Sequence, residues 1–286
     1  MNNRQALAKS AAIRALRIRA SVYAKPWDAI DVFDLAQQLG VEVRFTKISS
    51  MEGMYLRQDA PVILIASERP AVRQRFSCAH ELGHHAFGDG TRVDELLDSN
   101  SDKDRNDDED RADMFAGMVL MPKSAVDHAF SVRKLDPNTA NSVEFYRVAC
   151  WLGVGYSTLA VHLHYALRTI TRDRFAQIDR FTPKMIRESL LGQSTNDELI
   201  IVDEQWSSKP VDAAVGDFIL LPPGTSAEGL FCEKRAALQH GVLFQAVTPG
   251  IGRFESSSGW AAFVRVSRKN YEGRSIFRHL EEVDVE

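Results

Sequence analysis

His80-Glu81-Leu82-Gly83-His84 is the stretch best equipped for chemistry: two histidines four residues apart with a glutamate directly after the first. On a helix, positions four apart share a face, so both imidazoles can meet one divalent ion while Glu81 reaches a water beside it. Such a grouping suits metal-assisted hydrolysis, in which the ion polarises a carbonyl and the carboxylate moves protons. Zinc used in this way takes three protein ligands and leaves a position for water, so a third ligand is required.

The next helical pattern, EDRADMFAGMVLMP from Glu109 to Pro122, can provide it. Glu109 heads an apolar stripe of Ala112, Phe115, Ala116, Val119 and Leu120, and Asp113 lies one turn further along the same face. This supports Glu109 as the third ligand and Asp113 as the acceptor for the free ring N–H of a ligand histidine, fixing its tautomer. Asp108 and Asp110 flank Glu109 and keep the choice of carboxylate open.

Both segments must be helices that approach closely. Pro70 suits a first helical turn, Val72, Phe76, Ala79 and Gly83 recur at helical spacing, and Gly88 and Gly90 end the run. Gly83, between the histidines, lets another segment come near the metal. His85 points about 100° away from His84 on an ideal helix and is not expected to be a ligand. His128, His162 and His164 are read as ordinary surface or core residues.

Upstream, a helix is expected from Asn3 to near Tyr23, with Leu7, Ala11, Leu16 and Ala20 apolar and the arginines on its other faces. A second, over 31–39, is closed by Gly40. Strands follow at 41–45, 53–57 and 61–66, so a small sheet precedes the metal helix. Gly53-Met54-Tyr55 is the candidate edge strand for pairing with an extended substrate. Tyr55 and His128 are candidates to stabilise an oxyanion.

Together, HELGH and the Glu109–Pro122 segment resemble the ImmA/IrrE metallopeptidases, over about residues 5–170. The resemblance implies a cytoplasmic bacterial zinc protease whose substrates are typically helix-turn-helix repressors encoded nearby, cleavage of which derepresses phage, mobile-element, DNA-damage or defence genes. One departure is Asp113, where the family more often has Asn.

The rest of the chain is consistent with a soluble protein. Of 286 residues, 44% are hydrophobic and 26% charged, and the net charge of −4 argues against broad nonspecific nucleic-acid binding. Three scattered cysteines suit a reducing compartment, and the N-terminus lacks the apolar core of an export signal, so a cytoplasmic location without membrane association is expected. The acidic stretch from Asp94 to Asp113 reads as a solvated loop. Segments 143–152 and 156–167, around Gly153-Val154-Gly155, have helix-turn-helix spacing with arginines nearby; a structural or substrate-docking role is favoured over specific contact with DNA. Past about Arg180, short strands at 199–203, 217–221, 229–233, 242–247 and 260–266 point to a mainly β or α+β regulatory domain. A thiolate from Cys232, or less suitably Cys78, could silence a metal site.

The expected architecture is α+β: a zincin-like metallopeptidase domain with a small mixed sheet (1–135), a helix-turn-helix-like helical subdomain (136–180) and a sensory or regulatory domain (181–286). The expected activity is zinc endopeptidase, with His80, His84 and Glu109 on Zn²⁺ and Glu81 as general base, directed at a partner protein. The alternative is a non-proteolytic DNA- or partner-binding transcriptional regulator on a vestigial zincin scaffold. The sequence does not indicate the oligomeric state, cleavage site or activating signal.

Overall fold

The computed structural model describes residues 3–23, 25–48, 50–95, 107–206, 209–238 and 240–280. In chain order the elements are α1 (Asn3–Val22), α2 (Val32–Gln38), β1 (Glu42–Thr46), β2 (Met51–Leu56), β3 (Val62–Ala66), α3 (Ala71–Phe87), β4 (Arg92–Glu95), α4 (Asp107–Leu120) and α5 (Lys123–Ser131). There follow α6 (Ser142–Leu152), α7 (Tyr156–Val161), a π-helical turn (His162–Ala166), α8 (Arg172–Asp179) and α9 (Pro183–Leu191). The remaining strands are β5 (Leu199–Ile201), β6 (Val211–Ala214), β7 (Phe218–Leu221), β8 (Thr225–Glu228), β9 (Cys232–Leu238), β10 (Gly241–Ala246), β11 (Gly250–Ser256), β12 (Ala261–Ser267) and β13 (Gly273–Arg274). The architecture is mixed α and β, with helices and small sheets. Among the described residues no helix is long and apolar enough to cross a membrane.

The chain divides into two compact units. One comprises Met1–Ala129, Leu152–Gly155 and Glu272–Ser275; the other comprises Phe130–Trp151, Tyr156–Tyr271 and Ile276–Glu286.

The first unit contains a five-stranded mixed sheet in the order β13-β1-β3-β2-β4, in which β1 and β3 are parallel and the other pairings antiparallel. Ile63 and Ile65 of β3 are fully buried, as the apolar run of that strand requires. Helix α3 packs on β2 and β3, and α4 packs against both α3 and α1. Asp31 caps α2 by accepting from the backbone N–H groups of Phe33 and Asp34. Pro70 stands at the N-cap of α3, one residue ahead of the helix, and Gly88 closes its far end in the left-handed conformation at φ 74°.

Two expectations are corrected. Gly53-Met54-Tyr55 is not an edge: β2 lies between β3 and β4, because the chain after α3 returns and pairs antiparallel with it. The edge on that side is β4. In α1 the inward positions are Ala11, Ala15 and Arg19, while Leu16 and Ala20 face outward. Arg19 is buried because its guanidinium donates to three carbonyls, those of Val119 at 2.7 Å, Pro26 at 3.2 Å and Asp28 at 2.5 Å. It thereby satisfies an orphan carbonyl at the end of α4 as well as the turn after α1. The cost of desolvating its charge lowers its pKa to about 10, against the pull of Tyr23 and Asp28.

In the second unit, Asn141 accepts from the N–H groups of Val143 and Glu144 while Glu144 accepts from that of Asn141, a reciprocal cap that starts α6. Gly153, at φ 74° and itself in a segment of the first unit, makes the turn in the chain from α6 to α7. Two four-stranded sheets follow, ordered β5-β7-β10-β9 and β6-β12-β11-β8. Phe254, Val264 and Val266 are among their buried residues.

Candidate metal centre

Helix α3 carries His80 and His84 on one face and buries both, together with Glu81, which is 0% exposed. Helix α4 brings Glu109 to them. The Glu109 Oε2 atom lies 3.1 Å from His80 Nε2 and 3.4 Å from His84 Nε2, and the two Nε2 atoms are 3.2 Å apart. His80, His84 and Glu109 thus offer three ligand atoms within 4.8 Å of one another, a grouping able to hold a metal ion. Two neutral imidazoles and a carboxylate are a donor set that a divalent ion such as zinc accepts.

The close approach of the helices depends on Gly83. A Cβ there would stand 3.1 Å from Ala112 Cα and 3.2 Å from Phe115 Cδ1, so a side chain at this position would press against α4. Gly53 plays a similar part from the sheet, since a Cβ on it would lie 2.9 Å from Glu81 Oε1. The backbone of β2 therefore runs directly beside the Glu81 carboxylate.

Both histidines are oriented from behind. The Nδ1 atom of His80 is 2.9 Å from Asp113 Oδ1, as expected of that aspartate. That of His84 is 2.9 Å from Asp89 Oδ2, a partner the sequence reading missed. With each Nδ1–H donated to a carboxylate, each Nε2 is turned towards Glu109. Burial pushes the His80 pKa down, but hydrogen bonds to Asp113 and Glu109 outweigh it and raise the value to about 10. His84 is raised too, its burial outweighed by Glu109 and Asp89. Hydrogen bonds from His80 and His84 hold Glu109 well below the usual carboxylate range. Protons and a metal ion compete for these donor atoms, so a metal must displace protons to bind.

Other candidates lie elsewhere. His85 meets the Tyr55 hydroxyl through Nδ1 at 3.0 Å, so Tyr55, put forward for an oxyanion, is engaged with a neighbouring side chain. Burial raises the Tyr55 phenol and lowers the His85 imidazole, consistent with the phenol donating to a neutral ring. His128 packs near Trp27, with ring centroids 5.7 Å apart. Among the described residues the cysteines form no disulfide; burial pushes the Cys232 thiol up to about 12, which disfavours the thiolate that a metal-silencing switch calls for. Much of the acidic stretch, 96–106, lies outside the described residues.

Asp89 follows the helix-ending Gly88, where helical periodicity no longer applies. The only signal for it was a carboxylate one short turn past a ligand histidine. No curated protein matches the chain significantly. Residues 36–164 match the family model described as the IrrE N-terminal-like domain, Peptidase_M78, in agreement with the resemblance to the ImmA/IrrE metallopeptidases carried by HELGH and the Glu109–Pro122 segment.

Proposed function

We propose that the protein is a cytoplasmic zinc endopeptidase that cuts a partner protein, a helix-turn-helix repressor, and so derepresses stress, phage-related or defence genes. The observation that carries the catalytic part is the convergence of His80, His84 and Glu109 beside the buried Glu81. The choice of repressor rests on the family resemblance. Within this reading, 1–135 is a zincin-like catalytic domain, 136–180 a helix-turn-helix-like subdomain that docks substrate, and 181–286 a sensory domain that controls access.

His80, His84 and Glu109 would hold the ion, with Asp113 fixing the His80 ring. Bound there, zinc supplies Lewis acidity to the scissile carbonyl and brings the pKa of water to about 7. Glu81 takes a proton from the attacking water and returns it to the leaving amine, so it ends the cycle as it began. Its enclosure by β2 and α3 keeps bulk water from competing for that proton.

The test is incubation with the repressor encoded beside the gene, with and without a chelator. Cleavage is expected only with metal present. Glu81→Gln should keep the metal and lose at least about 100-fold in cleavage rate. Cleavage at the wild-type rate by that variant would remove Glu81 from its role, and an intact repressor under all activating conditions would refute the substrate.

A further inference from the structure

Asp89 stands two residues past the end of α3, held by α3, by α4 and by Arg57. Its backbone N–H donates to the His84 carbonyl at 3.0 Å, across the left-handed Gly88. Arg57, just beyond β2, donates from Nη1 to the Gly88 carbonyl at 2.6 Å. Arg111 of α4 donates from Nη2 to Asp89 Oδ1 at 2.8 Å and to Asp108 Oδ1 at 2.9 Å, with its guanidinium 4.3 Å from the centre of the Phe87 ring. The other carboxylate oxygen of Asp89 meets His84 Nδ1.

A histidine ring turns readily about its outer torsion, so a ligand imidazole needs a fixed partner to aim its metal-facing nitrogen. A carboxylate as enclosed as that of Asp89, 9% exposed, in turn needs a cation to offset its desolvation. Both needs are met by one chain of contacts, His84–Asp89–Arg111, and Arg111 lies two residues from Glu109 on the same helix.

We propose that Asp89 is a positioning residue for the metal ligand His84 and that Arg111 locks it, so that α4 sets the aim of a histidine carried by α3. The two helices are then cross-wired: α4 supplies Glu109 to the ion, Asp113 to His80 and, through Arg111 and Asp89, the orientation of His84. The inference rests on the reading of His80, His84 and Glu109 as metal ligands.

The experiment measures zinc affinity of the full chain by competition with a chromophoric chelator, alongside the visible spectrum of the cobalt(II) form and thermal unfolding of the metal-free form. Asp89→Asn keeps an acceptor but loses the charge, and is expected to weaken zinc about 10-fold; Asp89→Ala should weaken it up to about 100-fold and shift the cobalt bands. Arg111→Met should weaken zinc in the wild-type background and add nothing once Asp89 is alanine. Asp89→Asn is nearly isosteric and carries the decision alone if the alanine variant does not fold. Zinc affinity of Asp89→Asn within about threefold of wild type overturns the proposal, since a partner that orients a ligand is worth more than that. So does a drop in metal-free stability with unmoved cobalt bands, which marks a purely structural cap. Failure of the wild-type chain to bind zinc or cobalt would instead refute the underlying ligand assignment.

Discussion

Buried charge is treated differently in the two units. In the second, three carboxylates meet a cation of the same unit: Arg133 grips Asp203 at 2.6 and 2.9 Å, Arg265 grips Asp212 at 2.6 and 2.8 Å, and Arg187 meets Glu198 at 2.8 Å. In the first, at the metal centre, the groups that meet are two imidazoles and a carboxylate, all of which can act as acceptors towards one point. A forked arginine pair closes on itself and leaves no coordination to offer. Converging acceptors are stable together only with protons or a metal ion among them, and at His80 the hydrogen bonds to Asp113 and Glu109 outweigh burial and raise the pKa to about 10. Strong electrostatic coupling alone therefore does not mark the site; the kind of atoms that face one another does.

His84→Ala should abolish stoichiometric metal retention after dialysis, whereas Arg133→Met should leave metal content untouched; equal retention by both would erase the distinction. Arg133→Met should instead lower stability by about 3–5 kcal/mol, because it leaves the Asp203 carboxylate in a mostly enclosed site without its fork, and chemical denaturation would show it.

Next in size is a pH effect confined to the second unit. Asp217 is buried and its pKa raised to about 6, with burial outweighing the backbone N–H groups of Ala214 and Glu198 that it accepts from. Because the folded value exceeds the ordinary aspartate value of 3.8, the proton-bound form favours folding. That contribution is complete below about pH 4 and lost as the pH rises through about 6, a swing on the order of 3 kcal/mol. Unfolding of Asp217→Asn should lack this dependence. The smallest effect is expected from Gly83→Ala, where crowding against Ala112 costs about 1–3 kcal/mol and better helix propensity returns up to about 1 kcal/mol. A zinc titration of this variant would show whether a slight displacement of α4 weakens the ion's grip.

Local pattern made part of this molecule legible. The spacing of His80 and His84, the apolar stripe behind Glu109 and the small Gly83 all report on helix faces, and the structure brings them together. Asp89 was hidden because its orientation comes from Arg111 on another helix rather than from any repeat in its own segment. The interior position of β2 was hidden because strand order depends on where β4 returns. Arg19 read as a surface residue, since the three carbonyls that draw it inward lie outside its own helix or at its end. In the second unit the strands rich in apolar residues stood out, such as β7, β10 and β12, whereas β6, β8 and β11 did not. Those three are short, polar or glycine-bearing, and pairing with neighbours rather than their own composition makes them strands.

The spread of the three candidate ligands over two helices also bears on how the chain becomes and stays folded. His80 and His84 can come together within one helix, but Glu109 joins them only once α4 has docked. An ion held by all three would staple distant stretches of backbone, stabilising the docked arrangement in proportion to the logarithm of its free concentration over its dissociation constant. Scarcity of metal in the cell would then slacken the framework that carries the site as well as idle any chemistry there, leaving the protein shorter-lived.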